Sequence, residues 1–160
     1  MGELKAIFDA VIHWCYKSPA LEVIRNSKYA IPLIQSLHLT GITLVLGTTV
    51  VFNLRLTGIG LVALPLKQVG DELWRWGRRG LLLAMASGFF VFIVDPTRYL
   101  DNVPFRVKML TLAVAILFHY TVFKRYVRGE RPPRGRLWVA AASLVLWFGV
   151  GWAGRAIAFF

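Results

Sequence analysis

Four apolar blocks, at residues 31–54, 80–94, 105–123 and 137–157, are separated by clusters of Lys and Arg. This pattern constrains the chain more than any other feature, because each block approaches or reaches the roughly 17–25 residues that a membrane-spanning helix needs. Hydrocarbon offers no partner to a backbone N–H or C=O, so the blocks must satisfy their own hydrogen bonds as helices. The expected fold is all-α: an integral membrane, antiparallel four-helix bundle. Composition agrees, since 57% of residues are apolar and only 17% charged, against about 45–50% and about 25% in soluble domains. A soluble enzyme is excluded. A single cysteine, Cys15, leaves no intrachain disulfide, no Cys-rich zinc site and no Cys-ligated iron–sulfur cluster.

Residues 1–28 form a segment distinct from the bundle of residues 29–160. They lack the continuous apolar run and cleavage site of a secretory signal, so the segment is expected to be retained. Leu4, Ile7, Phe8, Val11, Ile12 and Cys15 recur at helical spacing while Glu3, Lys5, Asp9 and Lys17 fall largely elsewhere. Such a stripe predicts an amphipathic helix lying in the membrane interface. Ser18-Pro19 ends it, and a short helix over 20–27 then delivers the chain to Tyr29, an aromatic anchor. Gly58, Gly60 and Pro65 end the first span, Asp95-Pro96 ends a short second one, and Pro132-Pro133 mark a polar turn before the fourth. Gly80, Ala84 and Gly88, and again Gly151 and Gly154, offer small faces for helix contact.

The net charge of +11 is placed as a membrane topology signal rather than a nucleic-acid footprint. Of 19 basic residues, 11 lie in the connections between spans 1 and 2 and between spans 3 and 4, which are expected to be cytoplasmic. Both termini then face outward, the periplasm for a protein of a bacterial inner membrane. The lipid bilayer is the expected partner, and nucleic acid is not.

Away from their ends the spans contain no Asp, Glu or Cys. A carboxylate proton relay, a carboxylate cation site and an acyl-transfer triad therefore have no candidates. His38 and His119 remain, and ionisable residues at membrane depth are functional by default. Counted from the outward side, His38 lies about 10 Å deep and His119 about 15 Å deep at 1.5 Å per residue, a mismatch of about 5 Å that helix tilt absorbs. Two imidazoles on facing helices of a bundle are a ligand set for haem b. Gly41 and Ala115 would leave room for the ring. Copper or zinc would be underligated by two histidines. The alternative is that each imidazole hydrogen-bonds a carbonyl or hydroxyl of a neighbouring helix. Arg98, Arg106, Lys108 and Arg155 on the outward side could meet the propionates; for Arg106 and Lys108 the competing role is snorkelling to headgroups. His13, beside Trp14, reads as a surface residue.

Leu37-His38-Leu39-Thr40-Gly41, Asn53-Leu54-Arg55-Leu56-Thr57-Gly58, Phe105-Arg106-Val107-Lys108 and Gly154-Arg155-Ala156-Ile157-Ala158 together resemble the signatures of a family of uncharacterised bacterial four-helix inner-membrane proteins. The resemblance covers residues 29–160. That family often has Asp where this chain has Asn53, so a carboxylate partner for Arg55 is missing here. The resemblance brings no activity with it, and function rests on the residues. They point to a small membrane cytochrome with one haem b between His38 and His119, passing electrons between quinone and an outward-side membrane or periplasmic redox protein. Quinone is named because no nicotinamide or flavin fingerprint is present. The rival reading is a cofactor-free accessory subunit of a larger membrane complex, and a weaker third is a small-molecule or lipid carrier.

Overall fold

The computed structural model describes residues 10, 12–14, 16–100, 102–127, 135–157 and 159, which form helices and no strands. In chain order these are α1 (Pro19–Asn26), α2 (Ala30–Thr57), α3 (Leu66–Val94), α4 (Thr97–Leu100), α5 (Val103–Phe118), a π-helical turn (His119–Phe123), α6 (Lys124–Val127) and α7 (Arg136–Ala156). Four continuous helices, Ala30–Thr57, Leu66–Val94, Val103–Tyr126 and Arg136–Ala156, are long and apolar enough to cross a membrane. They pack as the expected bundle. The end at which α2 begins is called the near end, and the opposite one the far end.

The closest packing joins α2 and α3, and glycine permits it. A Cβ on Gly41 would lie 2.6 Å from the Ala84 nitrogen and 2.8 Å from the Gly80 oxygen; one on Gly80 would lie 2.6 Å from Cβ of Leu44. Backbone therefore meets backbone at this crossing, the small-residue packing expected of helices that gain nothing from burying apolar surface against lipid. The stripe on α7 behaves differently. No atom lies within 4 Å of where a Gly151 Cβ would sit, and Gly154 faces the Lys108 side chain. Neither glycine brings helices together.

The second span is longer than its apolar block. Helix α3 begins at Leu66, not near Gly80, and reaches 29 residues. Its first half is amphipathic: Val69, Leu73 and Trp74 turn inward, Val69 being buried, and Leu66, Leu73 and Trp74 pack with the core formed by Phe52, Leu56, Phe123 and Ala140. Asp71, Glu72, Arg75, Arg78 and Arg79 take the exposed positions. Gly58, in the left-handed conformation at φ 83°, ends α2. There the Ile59 N–H donates to the Leu54 carbonyl at 2.9 Å, closing the α2 C-terminus as left-handed glycine caps do. Arg55 reaches across the loop and donates to the Leu64 carbonyl at 2.7 Å.

At the near end, Ala10, Ile12–Trp14, Tyr16 and Lys17 are helical and α1 follows Ser18; the remaining positions of the amphipathic stripe, Leu4, Ile7, Phe8, Val11 and Cys15, lie outside the described residues, as does the Pro132-Pro133 turn. Arg25 of α1 donates from Nε and Nη2 to the Val94 carbonyl at 2.9 and 2.8 Å. A second pair of bonds reaches the Tyr16 carbonyl. The guanidinium thus caps the α3 C-terminus, where the helix dipole favours a cation, and fastens α1 to the bundle. Asn102 accepts the Phe105 N–H at 3.0 Å and caps α5.

Candidate functional site

His38 projects from α2 into the near half of the bundle. Its Nδ1 lies 2.8 Å from the Ala84 carbonyl and 3.2 Å from Oγ of Ser87. A carbonyl can only accept, so Nδ1 carries the proton and the lone pair resides on Nε2. A carbonyl bond at one ring nitrogen is what commonly orients a metal-ligating histidine. Gly88 supplies the space: a Cβ there would come within 2.9 Å of the His38 Cε1.

Two adjoining cavities open beside this imidazole. The larger, about 480 Å³, is bounded by all four spans and lined among others by Ile42, Met85, Phe89, Met109, Leu112 and Trp147; the smaller, about 210 Å³, is lined by Gln35, Val91, Tyr99, Gly154 and Ile157. His38, Gly88, Phe92, Phe105 and Lys108 border both. The combined size falls in the range of about 300–1,000 Å³ typical of small-molecule sites, and an apolar lining with a few polar groups is their usual make-up. Met85, Phe89 and Met109, 50%, 62% and 47% exposed, flank the cavity on the α3 and α5 side. Nearer the end, stacked rings of Phe92 and Phe105, 5.7 Å apart, bridge the same two helices. The cavity is therefore flanked by side chains open to the surroundings of the bundle.

Lys108 is the cation of this site. It emerges from α5 across from α7, where the missing side chain of Gly154 leaves its Nζ room, 3.6 Å from the position of a Cβ. The other expected cations lie elsewhere. Arg106 is exposed and borders neither cavity, and Arg155 is exposed with its guanidinium 5.0 Å over the Phe159 ring. The side chain of Arg98 lies outside those described. Sequence reasoning missed Gly88 and Gly154 as site residues, having assigned both to helix contact; their spacing fits either role. It also missed Gln35 and Tyr99, which no pattern marks.

His119 occupies a different place. Its ring stacks on Trp74 at 4.9 Å and on Phe123 at 4.9 Å, with Trp147 edge-on at 5.8 Å. The cavity it lines is only about 20 Å³ and does not include His38. The separation follows from α3, which touches both histidines: His38 meets residues 84–88 and His119 meets Trp74. Ten to fourteen residues of helix correspond to about 15–20 Å along the axis. An offset of about 5 Å, which counts His119 from a hydrocarbon edge near Met109 at 1.5 Å per residue, is too small, since α5 begins at Val103 and carries His119 far beyond the level of His38. The two imidazoles do not share a cavity, so these residues do not fit a haem ligated by both. His38 with Lys108 and the near cavity fits a flat apolar ligand that bears an anionic group. Among the described residues no cluster of three or more His, Cys, Asp or Glu gathers to hold a bare metal ion.

A family model matches residues 24–160. The chain belongs to DUF6644, a family of unknown function. The match spans the bundle and the last residues of α1, so both site residues, His38 and Lys108, lie inside the DUF6644 region. No curated protein and no solved structure matches the chain.

Proposed function

We propose that this DUF6644 protein is a small membrane haem protein that binds one haem b in the near cavity, with His38 Nε2 as its single protein ligand. The observation that carries the reading is the Nδ1 bond to the Ala84 carbonyl, which fixes the tautomer that leaves Nε2 basic beside an apolar space of the right size. Lys108 would neutralise a propionate, Phe92 and Phe105 would pack on the ring edges, and Gly88 keeps the ring side of His38 clear. When bound, haem supplies one-electron chemistry. The surrounding residues hold the ligand, keep water away and set the local charge. Exposed Met85, Phe89 and Met109 beside the cavity suit exchange with a membrane-dissolved partner such as quinone. With more basic residues in the far-end connections, the near end and both termini would lie on the periplasmic side of a bacterial inner membrane, and an outward-side redox protein would complete the electron path.

Expression with haem supply, purification and absorption spectroscopy test this directly. The expected spectrum is that of one haem per chain with a single protein ligand. His38→Ala should abolish it, His119→Ala should leave it intact, and Lys108→Met should lower occupancy at limiting haem. A colourless protein, or a spectrum that depends on His119 and not on His38, rejects the proposal.

A further inference from the structure

Deeper in the bundle lies a set of buried polar atoms to which the proposed function gives no role, although the Trp147 side chain also lines the larger near cavity. Among the described residues, His119 Nδ1, Trp147 Nε1, Ser143 Oγ and both amide atoms of Asn53 are buried without a hydrogen-bond partner. Trp147, Ser143 and Asn53 are only 5%, 0% and 2% exposed. An unsatisfied buried donor or acceptor is costly, so each of these groups calls for a partner. Two of them, His119 and Trp147, line the same cavity of about 20 Å³. About 10–15 Å³ suffices for one water, which then needs two to four polar partners.

We propose that this chamber is a binding site for water, in which one molecule joins the Trp147 indole to the His119 imidazole. The partners are complementary. Indole N–H can only donate, so it requires an acceptor, and the water oxygen provides it. In the tautomer with its proton on Nε2, His119 offers the Nδ1 lone pair to one water hydrogen, and Oγ1 of Thr48, whose own hydrogen is committed to the Leu44 carbonyl at 2.7 Å, takes the other. Thr48 lines the chamber, and Gly77 gives that hydroxyl its room, since a Cβ there would come within 2.9 Å of it. Two features place the site within reach of the far end. Arg78, an exposed side chain of α3, borders the chamber. The wide π-helical turn also begins at His119, and such turns recur at functional positions.

Water-edited solid-state NMR on ¹⁵N-labelled protein in lipid bilayers tests the site, and it needs no haem. Magnetisation should pass from water to the Trp147 indole and the His119 ring at least threefold faster than to the lipid-facing amides of Leu110 and Leu117. Trp147→Phe and His119→Gln assign the signals. Trp147→Phe should also slow transfer to His119, because it removes the bridge. Transfer to neither group, to one alone, or to His119 unchanged in the Trp147→Phe protein overturns the proposal. Should that variant fail to fold, the two build-up rates in the native protein decide it by themselves.

Discussion

Single glycines decide what the near half can bind. Gly88 faces an imidazole already held at Nδ1 by the Ala84 carbonyl, so the ring cannot yield to a methyl group without giving up that bond. Gly88→Ala should weaken ligand binding in the near cavity at least tenfold, about 1.4 kcal/mol, and should cost the ligand-free protein only about the 1 kcal/mol of one hydrogen bond. Haem titration of the two proteins checks this; equal affinities would mean that the glycine serves the helix and not the imidazole. Gly41 makes the contrasting case. There the obstacle is backbone of α3, which cannot rotate away, so Gly41→Ala must separate the helices and should destabilise the protein by about 1–3 kcal/mol, read as a lowered unfolding midpoint in detergent. The two glycines look alike in sequence. What they face across the helix interface sets the outcome, and one chain of letters does not carry that information.

At the level of elements, apolar length located all four spans but misjudged two of them. The first half of α3 carries Lys67, three arginines, Asp71 and Glu72 and reads as a connection, yet Leu66, Leu73 and Trp74 draw the helix back to its start at Leu66 by packing on the core of Phe52 and Leu56. The same blind spot affected His119. Its depth of about 15 Å at 1.5 Å per residue counts from a hydrocarbon edge near Met109, whereas the helix begins at Val103 and gains a π-helical turn that no periodicity announces. The short helix α1, anticipated from Ser18-Pro19, is tied down by Arg25, a residue with no sequence signature because its partner is the Val94 carbonyl 69 positions away. That bidentate contact yields a prediction for the element. Arg25→Gln should cost about 1–2 kcal/mol, the combined loss of a charged hydrogen bond and a helix C-terminal cation, and should release the segment before Tyr29. Limited proteolysis should then cut between residues 18 and 28 in the variant and not in the parent; identical digestion patterns would show that the bundle holds α1 by other means.

For the molecule as a whole, the two ends of the bundle differ in charge and in chemistry, and the same asymmetry sets its orientation. The far end gathers Lys67, Arg75, Arg78, Arg79, Lys124, Arg125 and Arg136, joined in sequence by Arg128, Arg131 and Arg134. The near end holds the Arg25 clamp, the Asn102 cap and the cavity bordered by His38 and Lys108. Basic residues in short connections resist translocation, whereas acidic ones count for little. The far end should therefore stay in the cytoplasm, with the near cavity in the outer half of the membrane and the chamber at His119 in the inner half. A reporter fused after Arg134 should behave as cytoplasmic, fluorescent as a green fluorescent protein fusion and inactive as alkaline phosphatase, and one fused after Phe160 should give the reverse. Changing Arg128, Arg131, Arg134 and Arg136 together to Gln should erode this preference, because the connection between the third and fourth spans would lose four of its six basic residues, Lys124 and Arg125 remaining. Active phosphatase after Arg134 in the native sequence would invert the assignment, putting the His38 site on the cytoplasmic side and the His119 chamber in the outer half, while leaving the packing of the helices and the separation of the two histidines as they are.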